Sequence, residues 1–542
     1  MSTVVEVQSQ ESRPQGRSSA RLGVLSGIAV AVPVVVVAVV QLASGTLVLG
    51  GDQALIGLDA LDARHLDQGV GSYSRMGWAH PGPAWTYLLA PLWWVLGSTG
   101  QALVAASLAV HALFAVLVVV AAGGERPWQR PLVAAVVLLY VLRMPAIVFV
   151  NVWNPFALLL PTFLLCLVAA RACAGSLASF ATVVLVASFL LQTHVGTVPL
   201  VGLVGLVVVV ATGLRLVRGQ VDRPDRAGWT RVGLAVGGVV LIWVPPLWQQ
   251  LSTASSGQGN LGMLADYFTS GGDPAAQTHT WAEAFSSVGQ LLGASVFGWP
   301  ATPGPVDTTI LTAAVVCAVL VQLGGGVAVA VLAFRAGATR TGWLAVLTAV
   351  AVVAGLVAGR TVTGELQNYL LLWVTVLPPA LLVAGASLVL HRWPAGAGTS
   401  VLRVAAIGTV AAVVLAVGVG LSLERSADTQ LGSQPAAEEA GHLLLDALPD
   451  EDSTVLLDIA DVGAWTTATS VALDLELAGH RVSVEETWVY SFGQDRRSDG
   501  DEEWIATLVP ITEGQPALPG QLGVVAAING PTAVLLERAP AG

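Results

Sequence analysis

A succession of long apolar runs, beginning with LGVLSGIAVAVPVVVVAVVQLASGTL at residues 22–47, most narrows what this chain can fold into. A hydrocarbon core about 30 Å thick requires roughly 18 or more such residues per helical crossing. Similar runs recur at 101–122, 131–150, 156–170, 177–194, 196–214, 232–250, 306–333, 342–359, 366–390 and 401–423. Composition agrees, with 54% hydrophobic and only 11% charged residues. The spacing predicts an α-helical polytopic membrane protein with about 11 transmembrane helices. The first run is not read as a signal peptide, because more spans follow and no small-residue cleavage site is clear. A net charge of −11 gives no basic surface for nucleic acid, and no such partner is expected. Every basic residue is Arg, and the Ala, Val, Gly and Leu bias matches a GC-rich, for example actinobacterial, genome. Cys166, Cys173 and Cys317 lie in or beside apolar runs without metal-ligand spacing and receive no role.

SYSRMGWAHPGPAWTYLLAPLWWVLG at 72–97 poses the main topological question, since its second half is also apolar. Arginine placement answers it. With residues 84–97 not crossing, Arg126, Arg130, Arg171, Arg215, Arg218, Arg223, Arg226, Arg231, Arg335, Arg340, Arg392 and Arg403 fall in cytoplasmic loops. Arg360 then lies in an external loop and Arg143 within a span, and an extra crossing would invert this distribution. Short-loop Arg bias sets orientation, so residues 84–97 are expected to lie along or dip into the outer face. Trp85, Tyr87, Trp93 and Trp94 suit an interfacial position.

Three regions follow. Residues 1–21 form a cytoplasmic tail, and 22–424 a transmembrane domain with external loops 48–100 and 251–305. Residues 425–542 form a small extracytoplasmic α/β domain. In this tail PAAEEAGHLLLDALP reads as a Pro-started amphipathic helix and GAWTTATSVALDLELAG as a helix closed by Gly479. STVLLDIAD, HRVSVEE, EEWIATLVP, LGVVAAING and TAVLLERA read as strands. With no phosphate-cradling glycine loop and no nucleophile elbow, the domain is expected to handle substrate or act as an accessory.

Polar groups at the outer face are the candidates for chemistry. GGDQALIGLDALDARHLDQ, straight after the first span, predicts an amphipathic helix lying on the membrane surface. Asp52 and Asp59, seven apart, share one helical face, and Asp59 and Asp62 are neighbours. The competing reading makes Asp52 an N-cap and leaves Asp59, Asp62 and Asp67 facing water. Arg75 and His80, beside a stiff Pro-Gly-Pro, can hold an anionic headgroup or merely contact lipid phosphate. Trp153 and Asn154 in NVWNP, His194 in QTHVG, and Arg360, Glu365 and Tyr369 in GRTVTGELQNY fall on the same side. Each singly also fits a satisfied helix end. Arg143, placed inside a span, favours a paired or functional role.

The acid following the first span, the element HPGPAWTYLLAPLWWVLG and the motifs WNP and QTH together resemble the GT-C superfamily of polytopic glycosyltransferases, such as protein O-mannosyltransferases and aminoarabinose transferases. The resemblance covers roughly residues 22–390. It implies a GT-C-like fold in the cell membrane, a polyprenyl-phosphate-sugar donor, and an acceptor that is a cell-envelope glycan, lipid or protein. By the same resemblance Asp52 would be the general base, with Asp59 as a further catalytic candidate. Arg75, His80, Arg143 and Arg360 would grip donor phosphate, and Trp153, Asn154, His194, Glu365 and Tyr369 would complete the substrate site. Gln53 stands where many relatives have a second acid, and the short second external loop carries no acid. These departures leave a divalent cation an open rather than an expected cofactor. A transporter or flippase for lipid-linked intermediates, and a non-catalytic glycolipid-binding member, are the alternatives. The lack of a repeat, and of charged residues in spans beyond Arg143, weighs against transport.

Overall fold

The computed structural model describes residues 15–43, 47–123, 126, 128–145, 147–253, 258–270, 278–297, 304–392, 434–449, 452–512, 514–527 and 529–540. Among the described residues, 8 helices are long and apolar enough to cross a membrane: Gly23–Ala43, Gly100–Ala121, Asn154–Cys173, Val195–Val217, Arg226–Ser252, Ala313–Arg335, Thr339–Thr361 and Asn368–Arg392. Two shorter apolar helices, Gln129–Val141 and Leu177–Thr193, match two further expected spans. The chain is a multi-pass membrane protein. The span expected at 401–423 lies outside the described residues.

Helices are numbered along the chain: α1 (Gln15–Ala43), α2 (Asp52–Arg64), α3 (Ala84–Val95), α4 (Gly100–Ala121), α5 (Gln129–Arg143), α6 (Ile147–Val150), α7 (Leu159–Cys173), α8 (Leu177–Thr193), α9 (Val198–Val217), α10 (Arg226–Ser252), α11 (Asn260–Thr269), α12 (Trp281–Phe297), α13 (Ala313–Arg335), α14 (Thr339–Thr361) and α15 (Leu377–Arg392). The span ending in α7 is 94% buried, against 11% for α10, which places α7 at the bundle axis and α10 at its rim. α7 packs on α4, α8, α9 and α14. Its buried Ala169, Ala170 and Ala172 provide the small side chains that such close helix packing requires.

The span expected at 131–150 is broken: α5 ends at Arg143 and the chain restarts as α6. Pro145 falls in the gap, and its ring and missing N–H cannot continue a helix. Arg143 therefore does not sit buried within a continuous span. It occupies the last turn of α5 with an exposed side chain.

α3 has 12 residues, hence a length of about 18 Å, and cannot cross the bilayer. Several of its aromatics are engaged by the protein itself. Trp85 and Trp93 are buried, and their indole N–H groups donate to Val152 O at 2.8 Å and Thr99 O at 2.9 Å. Tyr87 Oη donates to Gln68 O at 3.1 Å. α3 is thus a short helix built into the protein against α2, α4 and α8.

The carboxy-terminal region is an α/β unit whose 5-stranded sheet has the order β2-β1-β3-β5-β4. The strands are β1 (Thr454–Ile459), β2 (Arg481–Val484), β3 (Trp504–Pro510), β4 (Gln521–Ala527) and β5 (Gly530–Arg538). β1 pairs in parallel with β2 and β3, while β5 runs antiparallel to both β3 and β4. The helix Trp465–Leu477 links β1 to β2, and Gly479, at φ 102°, terminates it as its position predicts. The helix Pro435–Ala447 packs beside it on β4 and β5.

Candidate functional site

α2 is clamped between α3 and the helix Trp465–Leu477. Gly51 precedes it at φ 59°, a conformation that favours glycine, and a Cβ there would stand 3.1 Å from the Trp465 ring. The Gly51 N–H donates to Thr469 Oγ1 at 2.7 Å. Ser470 Oγ donates to Leu49 O, and the Gln434 N–H donates to Val48 O at 3.1 Å. Asp52 is accordingly no N-cap: Gly51 holds that position without a side-chain bond. Instead Asp52 Oδ1 accepts from Tyr73 Oη at 2.7 Å.

The face shared by Asp52 and Asp59 lines a cavity of about 20 Å³, walled also by Leu55, Ile56, Ser72, Tyr73, Trp153 and Ser491. That volume holds a single water-sized group. Residues 71–80, read as a loop from sequence, form a hairpin: Gly71 N–H donates to His80 O at 3.0 Å, His80 N–H to Ser72 O at 2.9 Å, and Ser74 N–H to Trp78 O at 2.9 Å. Tyr73 pairs with Ala79, and Gly77 at φ 81° makes the turn. Arg75 stands in the turn that follows Tyr73, closed by the Gly77 N–H donating to Ser74 O at 3.3 Å. The Arg75 charge acts on the Tyr369 hydroxyl and lies near enough to Asp52 to favour its ionised form. The Tyr369 ring sits 4.3 Å from that of Trp153. Gln53 Nε2 donates at 3.4 Å to Asn151 Oδ1, which also accepts from the Trp153 N–H at 2.9 Å. Asp52, Asp59, Arg75, Trp153 and Tyr369 therefore converge.

The other expected residues are placed differently. His80 and His194 form a buried pair with ring centroids 4.4 Å apart. Their Nδ1 atoms accept from the Val195 N–H at 3.3 Å and the Gly196 N–H at 3.0 Å. Burial pushes both imidazoles down, His194 to about 4, so both are neutral and stitch the hairpin to the α8–α9 junction. Asn154 is buried and donates to Thr193 O at 2.8 Å. Neither Arg143 nor Arg360 lines the cavity, and Arg360 occupies the last turn of α14. Glu365 is exposed, accepts from Gln367 Nε2 at 2.5 Å, and acts on the site only through its field at Tyr369.

The two carboxylates titrate unusually. Burial raises the Asp52 pKa, and the Tyr73 bond and the Arg75 charge only partly offset it. Asp59 is pushed up to about 8, first by burial and then by repulsion from Asp62, against the pull of Arg496 and a bond from Gln68. Burial thus favours the protonated form of Asp59. No group of three or more His, Cys, Asp or Glu among the described residues is arranged to hold a metal ion.

Asp62, expected on a solvated face, is bound by Arg496. The guanidinium donates to both Asp62 oxygens at 2.9 and 2.8 Å, to both Glu476 oxygens at 2.6 and 2.7 Å, and to Phe492 O at 3.1 Å. All five N–H donors are satisfied. Sequence reasoning missed Tyr73, Ser491 and Arg496. Gly71 and Gly77, turn-forming residues that bracket Tyr73, were a usable signal for a hairpin around the first. The others carry no local mark.

No protein-family model and no curated protein matches the chain. Among solved structures it is similar to ArnT from Cupriavidus metallidurans bound to undecaprenyl phosphate, with 13% identity, 95% of this chain and 97% of that chain covered, and a TM-score of 0.55. It is equally similar to that protein in the apo state, with 14% identity, coverage of 95% and 98%, and a TM-score of 0.55. The oligosaccharyltransferase AglB from Archaeoglobus fulgidus, in complex with an inhibitory peptide and a dolichol-phosphate, aligns at 12% identity over 89% and 69% of the chains with a TM-score of only 0.34. The chain has the ArnT fold; at such identity the likeness extends to fold alone.

Proposed function

We propose that this protein is a GT-C-type membrane glycosyltransferase that moves a sugar from a polyprenyl-phosphate donor to a hydroxyl-bearing cell-envelope acceptor. The carrying observation is the Asp52 carboxylate, held at 2.7 Å by Tyr73 in a water-sized cavity beside Arg75. The solved ArnT of this fold, bound to undecaprenyl phosphate, supports the class of donor. The acceptor oxygen attacks the anomeric carbon, the bond from that carbon to the phosphate oxygen breaks, and polyprenyl phosphate departs with the electron pair. Asp52 takes the acceptor's proton. Its burial makes it a stronger base once ionised, and Tyr73 and Arg75 keep the ionised form accessible. Arg75, whose charge is felt by both Asp52 and Tyr369, offsets charge growing on the leaving phosphate. In this reading the amino terminus is cytoplasmic and α2, the hairpin and the carboxy-terminal domain are outside, which the arginine distribution supports.

Asp52→Asn keeps the shape and leaves an oxygen for Tyr73, but removes the base. Transfer in proteoliposomes supplied with a polyprenyl-phosphate sugar should fall about 10²–10⁴-fold, the range typical of a general base. Turnover at the wild-type rate would overturn the assignment.

A further inference from the structure

We infer that the carboxy-terminal domain forms one wall of the reaction cavity, with Ser491 contacting a hydroxyl of the acceptor beside the attacking one and Arg496 as the positioning residue that holds this wall on α2. The inference rests on the proposed transferase reading and extends it to a region that carries no recognisable catalytic motif.

Ser491 is the carboxy-terminal domain's contribution to the cavity that Asp52 and Asp59 line. It is buried, and its hydroxyl donates to Trp488 O at 3.0 Å. Its proton is thereby engaged, which leaves the oxygen lone pairs to accept from a neighbouring hydroxyl of the acceptor, the attacking hydroxyl's own proton going to Asp52. Next to it, Tyr490 is 41% exposed. Its ring lies 5.9 Å from that of Tyr73, the residue bonded to Asp52. Trp465 of the same domain meets the Tyr73 ring at 6.2 Å. The domain therefore touches the residue that holds the base as well as the space in front of it.

What keeps Ser491 there is local. Arg496 lies five positions on, with its side chain 6% exposed, and joins Asp62 on α2 to Glu476. It also donates to the carbonyl of Phe492, the residue that follows Ser491. One fork thus ties the 489–496 segment, the helix Trp465–Leu477 and the carboxylate-bearing helix into a fixed arrangement. A lysine can keep the charge, but it cannot reproduce five directed donors.

The experiment measures acceptor and donor kinetics in proteoliposomes for the wild type, Ser491→Ala, Ser491→Thr and Arg496→Lys. Ser491→Ala should lower kcat/KM for the acceptor about tenfold while the donor KM stays within twofold, and Ser491→Thr should recover most of the loss. Arg496→Lys should raise the acceptor KM more than it lowers kcat. A Ser491→Ala enzyme with wild-type acceptor kcat/KM would overturn the inference, as would equal effects on donor and acceptor. Failure of the transferase reading is distinct: the wild type itself would then transfer no sugar. Ser491→Ala removes a single oxygen, and elution as an intact species in detergent separates a kinetic effect from misfolding.

Discussion

Replacing Tyr73 by Phe tests the electrostatics of Asp52 with little change in packing. The phenyl ring keeps its contacts with Trp465 and Tyr490, at 6.2 and 5.9 Å in the wild type, so the domain contact survives. Only the hydroxyl that donates to Asp52 Oδ1 at 2.7 Å is lost. A hydrogen bond to a charged group contributes roughly 1.5–3 kcal/mol. At about 1.4 kcal/mol per tenfold in the protonation equilibrium, ionised Asp52 becomes some ten- to a hundredfold scarcer at a fixed pH below its titration. The sign is definite: Tyr73 favours the ionised carboxylate, so its removal raises a pKa that burial already raises. The acid limb of kcat/KM should move up by about one to two pH units, with the alkaline plateau less affected. The assay is sugar transfer from a polyprenyl-phosphate donor in proteoliposomes at closely spaced pH values. A profile superimposable on the wild type's would refute the role given to this bond.

Asp59 contributes to the pH dependence of stability. Its carboxyl is pushed from 3.8 to about 8, so between those values the folded chain keeps a proton that the unfolded chain loses. Stability from this group is complete below about pH 4 and is lost as pH rises towards 8. Asp59→Asn has no proton to lose, and its melting temperature in detergent should fall less across that interval; equal slopes would show that Asp59 titrates normally. Sidedness has its own measurement. With Cys317 replaced by Ser, a cysteine substituted at Ala517 should react with a membrane-impermeant maleimide on intact cells, and one at Arg223 should not. The opposite labelling would invert the topology.

Much of the fold was legible because its signals are local. Span length, strand alternation and punctuation by Pro435 and Gly479 located the membrane helices and every strand and helix discussed in the carboxy-terminal unit. Helical spacing alone put Asp52 and Asp59 on one face, and both line the cavity. The break at Pro145 was equally local but was overridden by the length of the apolar run around it. His80 and His194 share one end of the bundle as expected, yet they bury each other, because ring-on-ring contact and backbone donors at Nδ1 satisfy them more fully than solvent could.

By itself, the sequence determined that the chain must cross a membrane repeatedly, that residues 84–97 are too short to cross it, and that an acidic helix follows the first span. These are consequences of hydrophobic length and helical period, which act within a few turns. Only the tertiary structure decided what that helix faces. Asp62 finds Arg496 from 434 positions away, Gly51 finds Thr469, and Ser491 closes the space before Asp52. Such pairings arise because buried carboxylates and backbone N–H groups must be matched by whatever donors and acceptors the folded chain brings to them, and that matching leaves no periodic mark in the sequence.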